Sequence, residues 1–218
     1  MDIVIKENLL RDPARAGNKA ATLASLTSAG FDIPPFFVID SQAFMSASEE
    51  SRIEPAIANA LCAICDRDSK VAVRSSSVEE DGAQSSFAGQ FESFLFVEQH
   101  RIPEMTMRVI ASAHGDHIET YRKATGQSSS GKPPAVMVQK MIDADAAGVA
   151  FAADPVTGDP NFAVIAATSG TADALVSGET QGDTWRINRK GKITERTAEG
   201  HAPVLNDRQI RRIAGLAC

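Results

Sequence analysis

The sequence predicts an α+β fold in two lobes of mixed sheet with flanking helices. Segments of helical period alternate with short apolar strand runs through the first 126 residues. A Ser-, Gly- and Pro-rich stretch, QSSSGKPP at 127–134, then reads as a linker, and beyond it the texture changes to short strands in succession. The lobes are expected at 1–126 and 133–218.

Residues 17–30, GNKAATLASLTSAG, read as a helix. Ala20, Leu23, Ala24 and Thr27 share one face, and Gly30 is placed to stop it. The Pro34-Pro35 pair leads into FFVID, a short apolar strand from Phe36. Over 52–66, Ile53, Ile57, Ala60, Leu61 and Ile64 form one stripe and predict a second, stronger helix. VAVRSSS follows as a buried strand from Val71 to Val73 running into a polar loop, EEDGAQSSFAGQ is a loop of small residues, and FESFLFV is another strand. Residues 101–124 read as helical. After the linker come the strands AVMVQKMI, GVAFAAD, FAVIAA and TWRINRKGKITE, the last with a turn at Lys190-Gly191. The final helix, NDRQIRRIAGLAC, has Asn206 as cap and Ile210, Ile213 and Leu216 along one side. That stripe still runs at Cys218, so a segment or partner beyond it is expected to cover these three residues.

Composition narrows the function classes. The chain of 218 residues is 43% hydrophobic and 23% charged, the balance of a folded globule. A net charge of −6 argues against a general nucleic-acid binder. No apolar run reaches the roughly 18–20 residues of a membrane span. The opening MDIVIKENLLRD lacks the basic and apolar regions of a signal peptide, and three cysteines make no disulfide framework, so a cytoplasmic setting is expected.

Several motifs read as ordinary structure. Gly126 to Lys132 has most of the P-loop spacing, but Pro133 stands where the Ser or Thr belongs and a helix precedes it instead of a strand. Cys62 and Cys65 lie on one helix face with no second pair, which fits packing better than a metal or redox site. His100, His114, His117 and His201 are scattered, and no metal site is expected.

Two stretches carry chemistry. In VAVRSSSVEEDGAQSSFAGQ, Arg74 ends a buried strand, and the loop after it offers Ser85, Ser86, Phe87, Ala88 and Gly89. Small residues let backbone N–H groups approach a phosphate, and an arginine supplies a bidentate fork. Lys19, just after Gly17-Asn18, adds a point charge near a helix N-terminus. A surface hairpin with a solvated arginine explains the same residues. In AVMVQKMIDADAAGVAFAADPVTGDP, the segment Gln139-Lys140-Met141 could offer an adenine ring a flat slot with a donor and an acceptor. Two paired strands and a turn explain it equally well.

Taken together and in order, these blocks resemble the ATP-binding domain shared by phosphoenolpyruvate synthase, pyruvate phosphate dikinase and rifampicin phosphotransferase. The resemblance rests on Gly17-Asn18-Lys19-Ala20 with Gly30 to Val38, on Val73-Arg74-Ser75-Ser76 with Glu80-Asp81, on Ser86-Phe87-Ala88-Gly89-Gln90, on Val138 to Met141 with Gly148 to Phe151, and on Asp154-Pro155-Val156-Thr157-Gly158. It implies an ATP-grasp fold with ATP and Mg²⁺ as ligands. Lys19 and Arg74 would contact the phosphates and act in catalysis, and Ser86 and Gly89 would belong to a closing loop. Gln139, Lys140, Met141 and Ile142 would line the adenine edge, largely through backbone groups. Asp173 stands where the family usually has a glutamate, one methylene longer, and Phe36 where it has a glycine. The family's acidic Mg²⁺ motif and Q-x-R strand have no counterpart here, nor do its histidine-bearing and acceptor-binding domains. The chain is therefore expected to be an incomplete ATP-grasp unit, part of a phosphotransferase that is inactive alone, partnered by those domains or by another chain. The alternative is a catalytically silent nucleotide-binding or interaction module of the same fold.

Overall fold

The computed structural model describes residues 2–47, 50–78, 81–82, 85–86, 92–113, 133–198 and 202–217, with backbone alone at 50–52, 81–82 and 85–86. The chain forms two compact units, Met1–Ile142 and Asp143–Cys218.

In the first unit the elements run α1 (Pro13–Ser28), β1 (Phe36–Ile39), α2 (Ser41–Met45), α3 (Glu50–Ile64), β2 (Val71–Ser76), β3 (Asp81–Gly82), β4 (Ser85–Ser86), β5 (Ser93–Val97), α4 (Ile102–Ser112) and β6 (Ala135–Lys140). The main sheet has the order β1-β6-β2-β5, and β3 pairs with β4 as a separate small hairpin. One face of the sheet carries Phe37, Ile39, Val71, Val73, Val136 and Val138 against Ile57 and Leu61 of α3 and Met105 and Val109 of α4. The α3 stripe is the one its sequence period predicts. On the other face, Val38, Ala135 and Met137 meet Ala16 and Ala20 of α1, whose small side chains bring the helix close to the strands.

The boundary between units falls later than the expected 126–133. Strand β6 lies between β1 and β2 and pairs antiparallel with both, Val38 opposite Met137 and Val73 opposite Val138. It therefore belongs to the first sheet, although the linker precedes it in sequence. The linker's 127–132 and the expected helix beyond 113 lie outside the described residues, as do His114, His117 and His201. The short helix α2 carries no period of its own; Asp40 caps it by accepting the amides of Gln42 and Ala43.

The second unit comprises β7 (Ala146–Phe151), β8 (Phe162–Ser169), α5 (Asp173–Val176), β9 (Asp183–Asn188), β10 (Ile193–Thr197) and α6 (Asp207–Ala217). Its sheet runs β10-β9-β8-β7. Ala163, Ile165, Ala167, Trp185 and Ile187 alternate inward and pack with Ile210 and Ala214 of α6. The expected exposed stripe is thereby corrected: Ile210 is fully buried and Ile213 packs on the same core, because α6 lies on the sheet of its own unit, and only Leu216 remains exposed, at 61%. All pairings of the two four-stranded sheets are antiparallel, where mixed sheets were expected. Among the described residues, no helix is long and apolar enough to cross a membrane.

Candidate functional site

The site is built where α1 meets the end of β2. Helix α1 breaks at Gly17, whose φ of 78° and ψ of 164° lie outside the helical region and suit glycine alone. A Cβ there would run into the carbonyl of Ser76, so the break also permits close approach to the strand. The helix restarts with its first amides turned onto the β2 tail. The Asn18 amide donates to the Ser77 carbonyl at 3.2 Å, and the Ala20 amide to Ser76 Oγ at 3.0 Å. Asn18 Nδ2 donates to the Val78 carbonyl at 2.9 Å, and Lys19 Nζ to the Ser75 carbonyl at 3.1 Å.

Arg74 lies on the sheet face that packs on α1. Val71 and Val73 point into the core with α3 and α4, and strand alternation turns Arg74 the other way. Its register partner Met137 belongs to the cluster around α1, as does Ala135 opposite Ser76. Arg74 Nε is buried and has no hydrogen-bond partner among the described residues. A buried charged donor without an acceptor is costly unless an anion satisfies it. Two sequence blocks more than 50 residues apart thus bring Lys19 and Arg74 to one end of one strand.

Gln139 sits on that same face, opposite Ala72 and Phe36, and its Nε2 donates to the Pro34 carbonyl at 3.0 Å. Lys140 is on the other face, near Cys65. Burial pushes the Cys65 thiol pKa up, and the Lys140 charge opposes that shift. The amide of Lys140 donates to the Pro35 carbonyl and that of Met141 to the Lys70 carbonyl, at 2.9 and 3.0 Å. Ile142 is half exposed. Ser86 pairs with Asp81 through the β3–β4 backbone, while Gly89 lies outside the described residues. Asp173, in the second unit, is exposed in the first turn of the four-residue α5.

Sequence reading missed Asn18 and Ser76, the residues that join the two blocks. The polar tail SSS after a buried strand was the available signal. It also left open the role of Asp154, which is a turn anchor. Its Oδ1 accepts the amides of Val156 and Thr157, and its Oδ2 accepts Arg186 Nε at 3.0 Å. Those bonds hold the Asp154 carboxyl below the usual carboxylate range. Arg186 also stacks on the Phe162 ring, 3.5 Å from its centroid. Among the described residues, no group of three or more His, Cys, Asp and Glu side chains could hold a metal ion.

The family profile "Pyruvate phosphate dikinase, AMP/ATP-binding domain" matches residues 45–210. Arg74, Ser86, Gly89, Gln139 to Ile142 and Asp173 lie inside that match, and Lys19 precedes it. The chain is 33% identical over 212 residues to the prodigiosin synthesizing transferase PigC of Serratia marcescens, covering 85% of this chain and 23% of the relative. It is 29% identical over 224 residues to a probable phosphoenolpyruvate synthase of Methanocaldococcus jannaschii, covering 83% and 19%. With a rifampicin phosphotransferase of Streptomyces sviceus the identity is 38% over 127 residues, covering 58% and 14%. The chain spans less than a quarter of the length of these relatives. By its profile match and the order of its motifs, it belongs to the family of pyruvate phosphate dikinase AMP/ATP-binding domains.

Proposed function

We propose that this chain is the ATP-binding part of an ATP-dependent phosphotransferase, with the phosphate end of the nucleotide at Lys19 and Arg74. The observation that carries the reading is the docking of Gly17–Ala20 on the β2 tail. It sets a lysine beside the strand end where an arginine has a buried donor without a partner among the described residues. Two fixed cations there would neutralise charge on the transferring phosphoryl group without reorganising during reaction. Ser86 and Gly89 would belong to the loop that closes over the phosphates. Gln139 to Ile142 would meet the base. Because the Lys140 and Met141 amides are already engaged, that contact would fall to other groups of this segment, the half-exposed Ile142 among them. Asp173 would stand in for the longer glutamate of the family.

Mg²⁺, when bound, would help neutralise the charge of the phosphates; among the described residues no group of three or more His, Cys, Asp and Glu side chains is placed to hold it. On this reading the phosphoryl group passes to a histidine on another domain or chain and then to pyruvate or a similar acceptor, in the cytoplasm. Relatives named phosphoenolpyruvate synthase and rifampicin phosphotransferase support the class of reaction but differ in acceptor.

Calorimetric titration of the chain with ATP and with adenosine, with and without Mg²⁺, tests the reading. ATP should bind, and Arg74→Ala should weaken it by about tenfold to a hundredfold, the range expected when a charged hydrogen bond is lost. Lys19→Ala should weaken it less, and adenosine binding should be the same in all three proteins. If the parent chain does not bind ATP, it is not an ATP-binding unit by itself; if both variants bind ATP as the parent does, the phosphate assignment is wrong.

A further inference from the structure

We propose that Ser76 is a positioning residue that sets Lys19 in place for the phosphates, with Gly17 as the other half of the joint. The inference rests on the phosphate reading above. Helix α1 cannot continue through Gly17, so the segment from Asn18 begins a new helix whose first amides need acceptors. Ser76 Oγ takes the Ala20 amide, as an N-cap side chain would, but from another element of the fold. Ser76 is 1% exposed and Ala20 fully buried, so water cannot replace that bond. The carbonyls of Ser75, Ser77 and Val78 hold Lys19 Nζ, the Asn18 amide and Asn18 Nδ2 in the same few ångströms. Lys19 is therefore fixed at both ends. Its backbone is clamped through Ser76 and its ammonium rests on the neighbouring carbonyl. With the helix start pinned to β2, the lysine keeps one position relative to Arg74 on that strand.

Two readouts on the intact chain test this. Hydrogen exchange follows the joint without any ligand: Ser76→Ala should speed exchange of the Ala20 amide at least tenfold while amides in β6 and α4 keep their rates. Unchanged Ala20 exchange would overturn the proposal. The second readout is a double-mutant cycle on ATP affinity. Ser76→Ala alone should weaken ATP about fivefold, the size of one hydrogen bond. In the Lys19→Ala background the same change should cost nothing further, because Ser76 acts through the lysine. Equal losses in both backgrounds would mean a merely structural serine and would also overturn it. If Lys19→Ala leaves ATP affinity unchanged, the phosphate reading itself fails, whatever Ser76 does.

Discussion

Asp154 ties its turn together with a single carboxylate, and the consequence is a pH dependence of known sign. The Val156 and Thr157 amides and the Arg186 guanidinium all donate to the Asp154 carboxylate, and they bind it most strongly while the acid is ionised. Its folded pKa is depressed below the unfolded value near 3.9. The stabilisation is therefore complete above the unfolded pKa and is lost as pH falls through the folded one. The chain's single tryptophan, Trp185, is fully buried in the second unit and reports on that unit alone. Urea unfolding followed by Trp185 fluorescence should show a midpoint that drops below about pH 4. Asp154→Asn should start lower and lose part of that dependence; an unchanged pH profile would mean that the turn does not need the charge.

At the scale of the element, α6 is the sharpest case. Its sequence shows one apolar stripe, but the sheet beneath it divides that stripe into a buried part and an exposed end. Ile210 is fully buried in one core cluster with Ala163, Ile165 and Ile187 of the sheet and with Ala214, whereas Leu216 is exposed. Ile210→Ala should destabilise the second unit by about 2–4 kcal/mol, the transfer and cavity cost of a large buried aliphatic. Leu216→Ala should stay within about 0.5 kcal/mol. Trp185-detected urea midpoints of the two variants measure the difference directly.

At the scale of the whole molecule, the first unit depends on a strand that arrives late. β1 and β2 run in the same direction and do not pair; β6, some 60 residues after β2, fills the slot between them. A fragment ending at residue 126 would leave two apolar strands without their shared partner and expose Val38, Val71 and Val73, all fully buried in the chain. It should show no cooperative thermal transition by circular dichroism. The fragment 1–142 should melt cooperatively. If both fragments behave alike, the sheet does not need β6 for its stability.

The sequence by itself determined the α+β class, the α3 stripe, the strand at TWRIN and the residue types of the blocks around Lys19 and Arg74. These are local signals: a period of 3.6 or 2, a cap, or a glycine beside a lysine is written in a few consecutive residues. What only the tertiary structure decided is non-local. The joint between Gly17 and Ser76, the Arg74 Nε that has no partner among the described residues, and the unit boundary at Ile142 all depend on which strand lies beside which. Antiparallel pairing fixes that choice through backbone hydrogen bonds between distant segments, and no short stretch of sequence spells out its partner.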